Sequence, residues 1–501
     1  KSLVIVEKKH VGTRYRMLET IRQYADEKLV ESGERDKLCD KHLDYFLSLA
    51  ETARPHLMGP EQLEWLPVID AEYANLRLAF EWSLNEDITE SPLRLCNALW
   101  WFWKIRGRWR EGLNCIKRSL EKSSQIQKKN LKVGRSRALA VQAALEWQVG
   151  NLKHMLAPAQ QSLVLASEVA DKKDIAIAKF YVGIAVARRG ESYDQAFFLL
   201  EQSLTELQAL KEEFWLAYFS PYLSELLAAQ TQQKSEDRFV RSLELARKAG
   251  ERVVLMDVLS HYATWLFTVN RLEESRKSAE EADRLCKQLG IRRPGERSFV
   301  LAAIAWLEGD IQKARSIYMK TQERCNLLGE KHFRSISVSQ LGLLAMEEGN
   351  LPRAQQYLEQ ALQLSREVGS HVYNAMRLME LSNLFYRQGN HEAFRQNVRE
   401  TFSLRNYFLE GHKVLALEIT LGFLYLEEPE IAVQILGAIS ASETASDLVP
   451  AEPITRIYCD RAGARARAVL GDSAFEALFV EGQRMSLDDG LDMALKTVEA
   501  M

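Results

Sequence analysis

A forty-residue clock constrains this chain more than any other feature. The landmark is a Gly followed by a polar residue, placed where one helical stretch ends and the next begins. It occurs at Gly150-Asn151, Gly190-Glu191, Gly309-Asp310, Gly349-Asn350 and Gly389-Asn390. Gly150 and Gly190 are 40 residues apart, as are Gly309 and Gly349, and Gly349 and Gly389. The longer gap from Gly190 to Gly309 leaves room for units turning near Gln230 and Asn270, and an earlier unit turns at Gly107. A glycine enters the left-handed conformation that ends a helix at no steric cost, and Asn enters it at little cost. Asn or Asp directly afterwards can cap the following helix. Two helices of about 16 residues with two short turns fill such a unit. An array of this kind grows by adding units that touch only their neighbours, so 501 residues need not divide into separate cores.

Small residues keep the same register. Seven positions before the turn stand Ala143, Gly183, Ala263, Ala302, Gly342 and Ser382, with Leu223 as the exception in the Gln230 unit, where Pro221 also interrupts the first helix. Ser275, Ala314 and Ala354 follow the turn by five residues, and Ala282 and Ala361 by twelve. Small side chains there let the two helices of a hairpin approach closely. The pattern resembles the tetratricopeptide repeat, lengthened by several residues per unit; a HEAT-like α-solenoid is the alternative. The expected fold is all-α: a superhelix of ~40-residue helical hairpins.

The ends differ from the middle. Leu3–Val6 and Tyr15–Leu18 read as two short strands around a turn at Gly12, followed by a helix from Glu19 to Leu29. The run Arg14-Tyr15-Arg16-Met17-Leu18-Glu19-Thr20-Ile21-Arg22-Gln23-Tyr24-Ala25 closely resembles the winged-helix end of bacterial STAND regulators, signal-transduction ATPases with an NB-ARC-type nucleotide domain. Glu31-Ser32-Gly33-Glu34, His42-Leu43-Asp44-Tyr45-Phe46 and Gly59-Pro60-Glu61-Gln62-Leu63-Glu64-Trp65-Leu66 are similar to the helices that follow it, with Asp70, Glu72, Asn75-Leu76-Arg77 and Trp82 behind them. Gly471-Asp472-Ser473-Ala474-Phe475, Gly482 and Met485–Asp489 resemble the way such arms finish. The resemblance implies four regions: residues 1–29 as the C-terminal remnant of a winged helix, 30–92 as a helical linker, 93–410 as about eight repeat hairpins, and 411–501 as a helical cap. It further implies a sensor arm that binds a small inducer or a protein and controls a nucleotide domain lying upstream. The output would be a DNA-binding helix-turn-helix of the LuxR-family kind. Lys1 opens the chain inside an apolar run, which reads as a piece of a longer protein. With no G-x-x-x-x-G-K-[S/T], ATP, ADP and Mg are expected only in that upstream domain, and no cofactor in this chain. A constitutive scaffold without a switch, and the arm of a defence-type STAND protein, are the other readings.

Chemistry-bearing motifs are sparse. The nine histidines are isolated, without HxxxH or HExxH, so no metal site is expected, and no G-x-S-x-G or Cys-His pair suggests a nucleophile. The chain is read as a non-enzyme. The six cysteines are widely spaced, which suits a reducing cytoplasm, and no apolar run is long enough to span a bilayer. Net charge is −3, yet Lys104–Arg137 holds twelve Lys or Arg against two Glu, while residues 61–90 hold eight acids and one Arg. Those segments either neutralise each other or present a docking patch for an acidic partner. Trp100, Trp103, Lys104, Arg106, Arg108 and Arg110 would form that patch, with no direct nucleic-acid contact expected. Four consecutive aromatics, Trp100-Trp101-Phe102-Trp103, point all round a helix, so one buried stripe cannot hold them all. Carrying the tetratricopeptide register over places Trp147, Phe180, Arg188, Asp257, Thr264, Phe299, Trp306, Met346, Asn383, Tyr386 and Arg387 on the concave face, as candidates to meet a protein or small-molecule inducer.

Overall fold

A computed structural model describes residues 4–9, 12–85, 90–124, 129–228, 232–291, 293, 295–408, 410–446 and 453–500. Two antiparallel strands open it, β1 (Val4–Lys9) and β2 (Gly12–Met17), in register Val4↔Met17 through Lys9↔Gly12. Gly12 therefore begins the second strand, and residues 10–11 lie outside the described residues. Three helices follow, α1 (Glu19–Ser32), α2 (Arg35–Leu57) and α3 (Gln62–Ser83).

Eight helical hairpins then stack in sequence order: α4 (Ser91–Arg106) with α5 (Trp109–Lys122), α6 (Lys129–Gln148) with α7 (Leu156–Val169), α8 (Lys172–Arg189) with α9 (Tyr193–Ala209), and α10 (Glu213–Ala228) with α11 (Gln232–Ala249). The array continues with α12 (Arg252–Thr268) and α13 (Leu272–Gln288), α14 (Glu296–Leu307) and α15 (Ile311–Leu328), α16 (Lys331–Glu347) and α17 (Leu351–Val368), and α18 (His371–Arg387) and α19 (His391–Ser403). Five helices close the chain: α20 (Glu410–Glu427), α21 (Pro429–Ser446), α22 (Pro453–Leu470), α23 (Asp472–Gly482) and α24 (Leu487–Ala500). The fold is a tetratricopeptide-like solenoid.

The turn residues behave as their spacing predicts. Gly107, Gly150, Gly190, Asn270, Gly309, Gly349 and Gly389 all have positive φ, between 60° and 84°. The Gln230 turn lies outside the described residues. Asp310, Asn350 and Asn390 each accept a hydrogen bond from the backbone N–H three residues on. Asn151 does not cap; its amide donates to Glu146 at 2.8 Å, and a 3-10 turn over Leu152–His154 precedes α7. Ala143, Ala263, Ala302, Ser382, Ser275, Ala314, Ala354, Ala282 and Ala361 are completely buried where the helices of each hairpin meet. A second series of left-handed residues, Ala170, Lys211, Gly250, Gly290, Gly329 and Gly369, marks the junctions between hairpins, again about 40 residues apart.

The first helix of each hairpin packs on the first helix of the next, so these helices form an inner layer. The superhelix is tight enough for its second turn to sit on its first. Lys104 in α4 reaches Asp257 in α12 at 2.6 Å, and Arg106 donates to the carbonyl of Leu289 at 2.8 Å. Arg188 in α8 donates to the Tyr373 hydroxyl in α18 at 3.0 Å. These partners belong to hairpins four or five units apart. Trp100, Trp101, Phe102 and Trp103 are consequently all buried, each no more than 2% exposed. Four consecutive aromatics do not fit one buried stripe, and all four are core here because α4 is enclosed on every side. Tyr73 on α3 meets Trp103, α5 covers it from its own hairpin, and Trp215 and Tyr218 of α10 close on Trp100 and Trp101.

Turn-on-turn packing separates glycines that look alike in the sequence. Gly309 has φ 84° and open space around it, whereas Gly150 has φ 70° and lies against the next superhelical turn, where an added Cβ would stand 2.8 Å from the His332 backbone nitrogen. Gly309→Ala should cost about 1–2 kcal/mol, the strain of a left-handed side chain. Gly150→Ala should cost clearly more, because it also pries two turns apart. Chemical denaturation of the two variants measures the difference, and equal losses would contradict a closed superhelix.

Candidate functional site

The inner layer holds a small cavity and a larger one. The first is on the superhelix axis and is small, about 70 Å³, walled by charged and aromatic groups from both turns. Asp257 is its anchor. One carboxylate oxygen takes the Lys104 ammonium, and the other takes the Arg293 guanidinium. Burial would raise the Asp257 carboxyl, but Arg293 and Lys104 outweigh it and hold the group well below the usual carboxylate range. Burial pushes Lys104 down to about 8 despite Asp257, and its ammonium rests 4.6 Å and 4.7 Å from the ring centres of Trp101 and Tyr218. Beside this triad, Glu225 accepts from Arg188 at 2.8 Å and pairs with His261. Burial opposes the charged forms, yet the pairing wins, lowering Glu225 to about 2 and raising His261 to about 9. His332, also facing Arg188, is pushed down to about 3 by burial first and by that positive charge second. The axis is thus an ionic bracket between turns, in which Asp257 and Glu225 are each paired with two cationic groups.

The second cavity, about 580 Å³, opens on the inner face of the N-terminal half. Helices α2, α4, α6, α8 and α10 supply its walls. Trp100 and Trp215 stand parallel, with ring centres 5.7 Å apart, and Phe214, Ile177 and Tyr181 extend the apolar surface. Its carboxylates are taken: Glu51 by Arg94 at 2.7 and 2.8 Å, Asp174 by Arg137 at 2.7 Å, and Glu212 by Lys173 at 2.7 Å. Arg54 on α2 is different. Half-buried on the wall, its guanidinium has no hydrogen-bonding or ion-pair partner among the described residues, and burial and the charge of Arg137 lower its pKa. An adjoining hollow of about 460 Å³ between α4 and α6 shares Glu51, Arg54, Asn97 and Arg137 with it. Volumes of this size suit a small molecule or a short chain segment.

The concave-face candidates separate into groups. Trp147, Arg188 and Asp257 do line the axial cavity. Phe180 and Met346 lie in the core, Phe180 stacked on Phe219 at 3.5 Å, so neither presents a surface. Phe299 packs on Phe333, and Trp306 is half-buried in the cluster joining α14 to α16. Thr264 donates to the carbonyl of Ser260, one turn back in its own helix. Tyr386 donates to Glu427 at 2.7 Å, while Arg387 bonds Asn383 at 3.3 Å and Glu347 at 3.4 Å. The structure does not gather these eleven residues into one site.

The basic patch is likewise dispersed. Trp100, Trp103 and Lys104 are buried, Arg106 is bound to Asp70 at 2.6 Å, and Arg108 is held by Glu111 at 3.3 Å; Arg110 is exposed. Arg118 bonds Glu81 at 2.6 and 2.7 Å, so the acidic and basic segments meet within the chain. Trp100 belongs instead to the wall of the larger cavity. Arg54, Asn97, Phe214 and Trp215 escaped sequence reasoning. The borrowed register favoured positions near the hairpin turns, whereas the cavity lies toward the opposite ends of the inner helices, and α2 precedes the repeats.

No family model matches the chain. It is 39% identical over 176 residues to curated proteins of Mycobacterium bovis and Mycobacterium tuberculosis that are provisionally named HTH-type transcriptional regulators, a stretch covering 34% of this chain and 20% of theirs. The chain thus spans about a fifth of the length of those relatives. Among solved structures it is similar to a Rap protein complexed with competence and sporulation factor, with TM-score 0.53, 13% identity, and coverage of 74% of this chain and 98% of that one. This likeness agrees with the helical-repeat fold. A STAND protein with a tetratricopeptide repeat sensor from Pyrococcus horikoshii aligns with TM-score 0.39 and 12% identity, over 91% of this chain and 74% of that one.

The axial bracket makes two distinguishable predictions. Asp257→Leu strands Lys104 and Arg293 without their counter-charge and should cost about 3–5 kcal/mol. Lys104→Met, which leaves the Asp257–Arg293 pair intact, should cost much less; denaturant titration compares them. The folded-state pKa of His261, about 9, lies above the ordinary 6.5. Its stabilisation is therefore fully present below pH 6.5 and lost as pH rises through 9. Glu225, Arg188, Glu296, Asp257 and Arg293 are the charged groups around it. The stability deficit of His261→Gln relative to the parent should be largest below pH 6.5 and shrink toward zero above pH 9, as read from melting curves across that range.

Proposed function

We propose that this chain is the sensing arm of a STAND-type regulator of transcription, which binds an inducer or partner on the inner face of its repeats and passes the event to a nucleotide domain upstream. One observation carries the reading. The larger cavity is closed on one side by α2, the helix joined through α1 to the β1–β2 hairpin. A ligand seated there touches both the repeat array and the element that leads toward the N-terminal unit. Preference for one arrangement of that wall is what converts binding into a switch. The resemblance of residues 14–25 to a winged-helix end supports the assignment of that unit, and the stretch shared with mycobacterial regulators supports a transcriptional output.

The chain supplies recognition; nucleotide hydrolysis and DNA binding belong to other parts of the whole protein. The full-length protein tests this. Its sequence upstream of Lys1 should contain G-x-x-x-x-G-K-[S/T], and the purified protein should retain about one ADP or ATP per chain, measured by chromatography of the nucleotide released on denaturation. A full-length protein with neither the motif nor bound nucleotide removes the STAND assignment.

A further inference from the structure

The larger cavity carries a more specific demand, which rests on the sensing role just given to it. Asn97 in α4 is 8% exposed and stands where the cavity meets its adjoining hollow. Its amide nitrogen donates to the carbonyl of Gly134 in α6 at 3.2 Å. A carbonyl only accepts, so this bond fixes which end of the side-chain amide is which. The other end, Oδ1, is buried without a hydrogen-bond partner among the described residues. A buried acceptor left unsatisfied is costly, and an N–H from a ligand would complete it.

The same junction holds Arg54, whose guanidinium has no carboxylate partner among the described residues, while Glu51, Asp174 and Glu212 are paired with other bases. Arg54 feels the positive charge of Arg137, partly offset by Asp174 and Glu51, and a carboxylate bound directly to it would supply the counter-charge it lacks. To one side lies the aromatic wall of Trp100, Trp215 and Phe214; to the other lies the hollow between α4 and α6, lined by Leu93, Ala98 and Leu131. From one point, then, the site asks for an anion, a hydrogen-bond donor and an apolar group, with room for a further chain on the far side. Guanidinium groups are well matched to carboxylates.

We propose that this cavity binds an N-acylated apolar α-amino acid: the carboxylate on Arg54, the amide N–H on Asn97 Oδ1, the side chain against Trp100 and Trp215, and the acyl portion along the hollow between α4 and α6. A free N-acyl amino acid and the C-terminal residue of a peptide share this chemistry.

Titration calorimetry on the 501-residue chain separates the components, using N-acetyl-L-leucine, its carboxamide, its ester analogue with oxygen in place of the amide N–H, and acetyl-Gly-Gly-Leu. N-acetyl-L-leucine should bind at least tenfold more tightly than the carboxamide, a difference of about 1.4 kcal/mol or more. Arg54→Gln should erase that preference. The ester analogue should bind more weakly than N-acetyl-L-leucine, and Asn97→Leu should erase this second difference while leaving the first. Neither variant breaks an ion pair, and thermal melting shows whether each is folded. Tighter binding of acetyl-Gly-Gly-Leu identifies a peptide end as the natural source; equal or weaker binding identifies a small molecule. If the carboxamide binds as well as the acid, if Arg54→Gln keeps the preference, or if none of the probes binds, the proposed ligand class is overturned. The upstream nucleotide motif tests the sensing role independently, so the two readings fail separately.

Discussion

The closed superhelix depends on Asp257. The Lys104 ammonium is tolerated in the interior only beside Asp257, because without that carboxylate it would face the desolvation cost of an unpaired buried charge. Lys104 comes from the first hairpin, Asp257 from the fifth and Arg293 from the junction beyond it, so satisfying this triad requires one turn of the solenoid to rest on the other. Arg188, Glu225, His261 and Tyr373 repeat the arrangement further along the axis. Tetratricopeptide-like units ordinarily need only their neighbours, but these units also depend on partners four or five hairpins away. An otherwise one-dimensional array thereby acquires long-range order.

Local features of the fold were legible and distant ones were not. Glycine spacing located seven described turns, and small residues at fixed offsets located the helix–helix contacts, since both effects act within a hairpin. The junction series at Ala170, Lys211, Gly250, Gly290, Gly329 and Gly369 has the same period but went unread, partly because two of its members carry side chains at positive φ. The contact between turns left a single trace in the sequence. Trp100-Trp101-Phe102-Trp103 conflicts with an amphipathic helix, and the conflict disappears when α4 is enclosed by two superhelical turns. The charge imbalance between residues 61–90 and 104–137 likewise reflected internal pairing, such as Arg106 with Asp70 and Arg118 with Glu81.

The candidate site was less legible for a geometric reason. Period identifies which helices face inward, but it does not say where along those helices the inner layer stays open. Where hairpin turns of the first superhelical turn meet junction ends of the second, the space fills with ion pairs. Toward the other ends of α4, α6, α8 and α10 the layer diverges, and a cavity remains. Trp147, Arg188 and Asp257 were correctly placed on the inner face yet lie where it is closed. Arg54 was invisible to any repeat register because it stands outside the repeats.

That placement of Arg54 separates two evolutionary pressures. Residues that hold the solenoid's geometry are tied to a strict period and to partners in distant hairpins, so few of them can drift freely. Arg54 is carried by a helix that obeys no period, and replacing it disturbs no ion pair among the described residues. On the proposed reading, a lineage could retune which molecule is recognised by changing Arg54, while the coiled architecture and the rest of the cavity wall stay as they are.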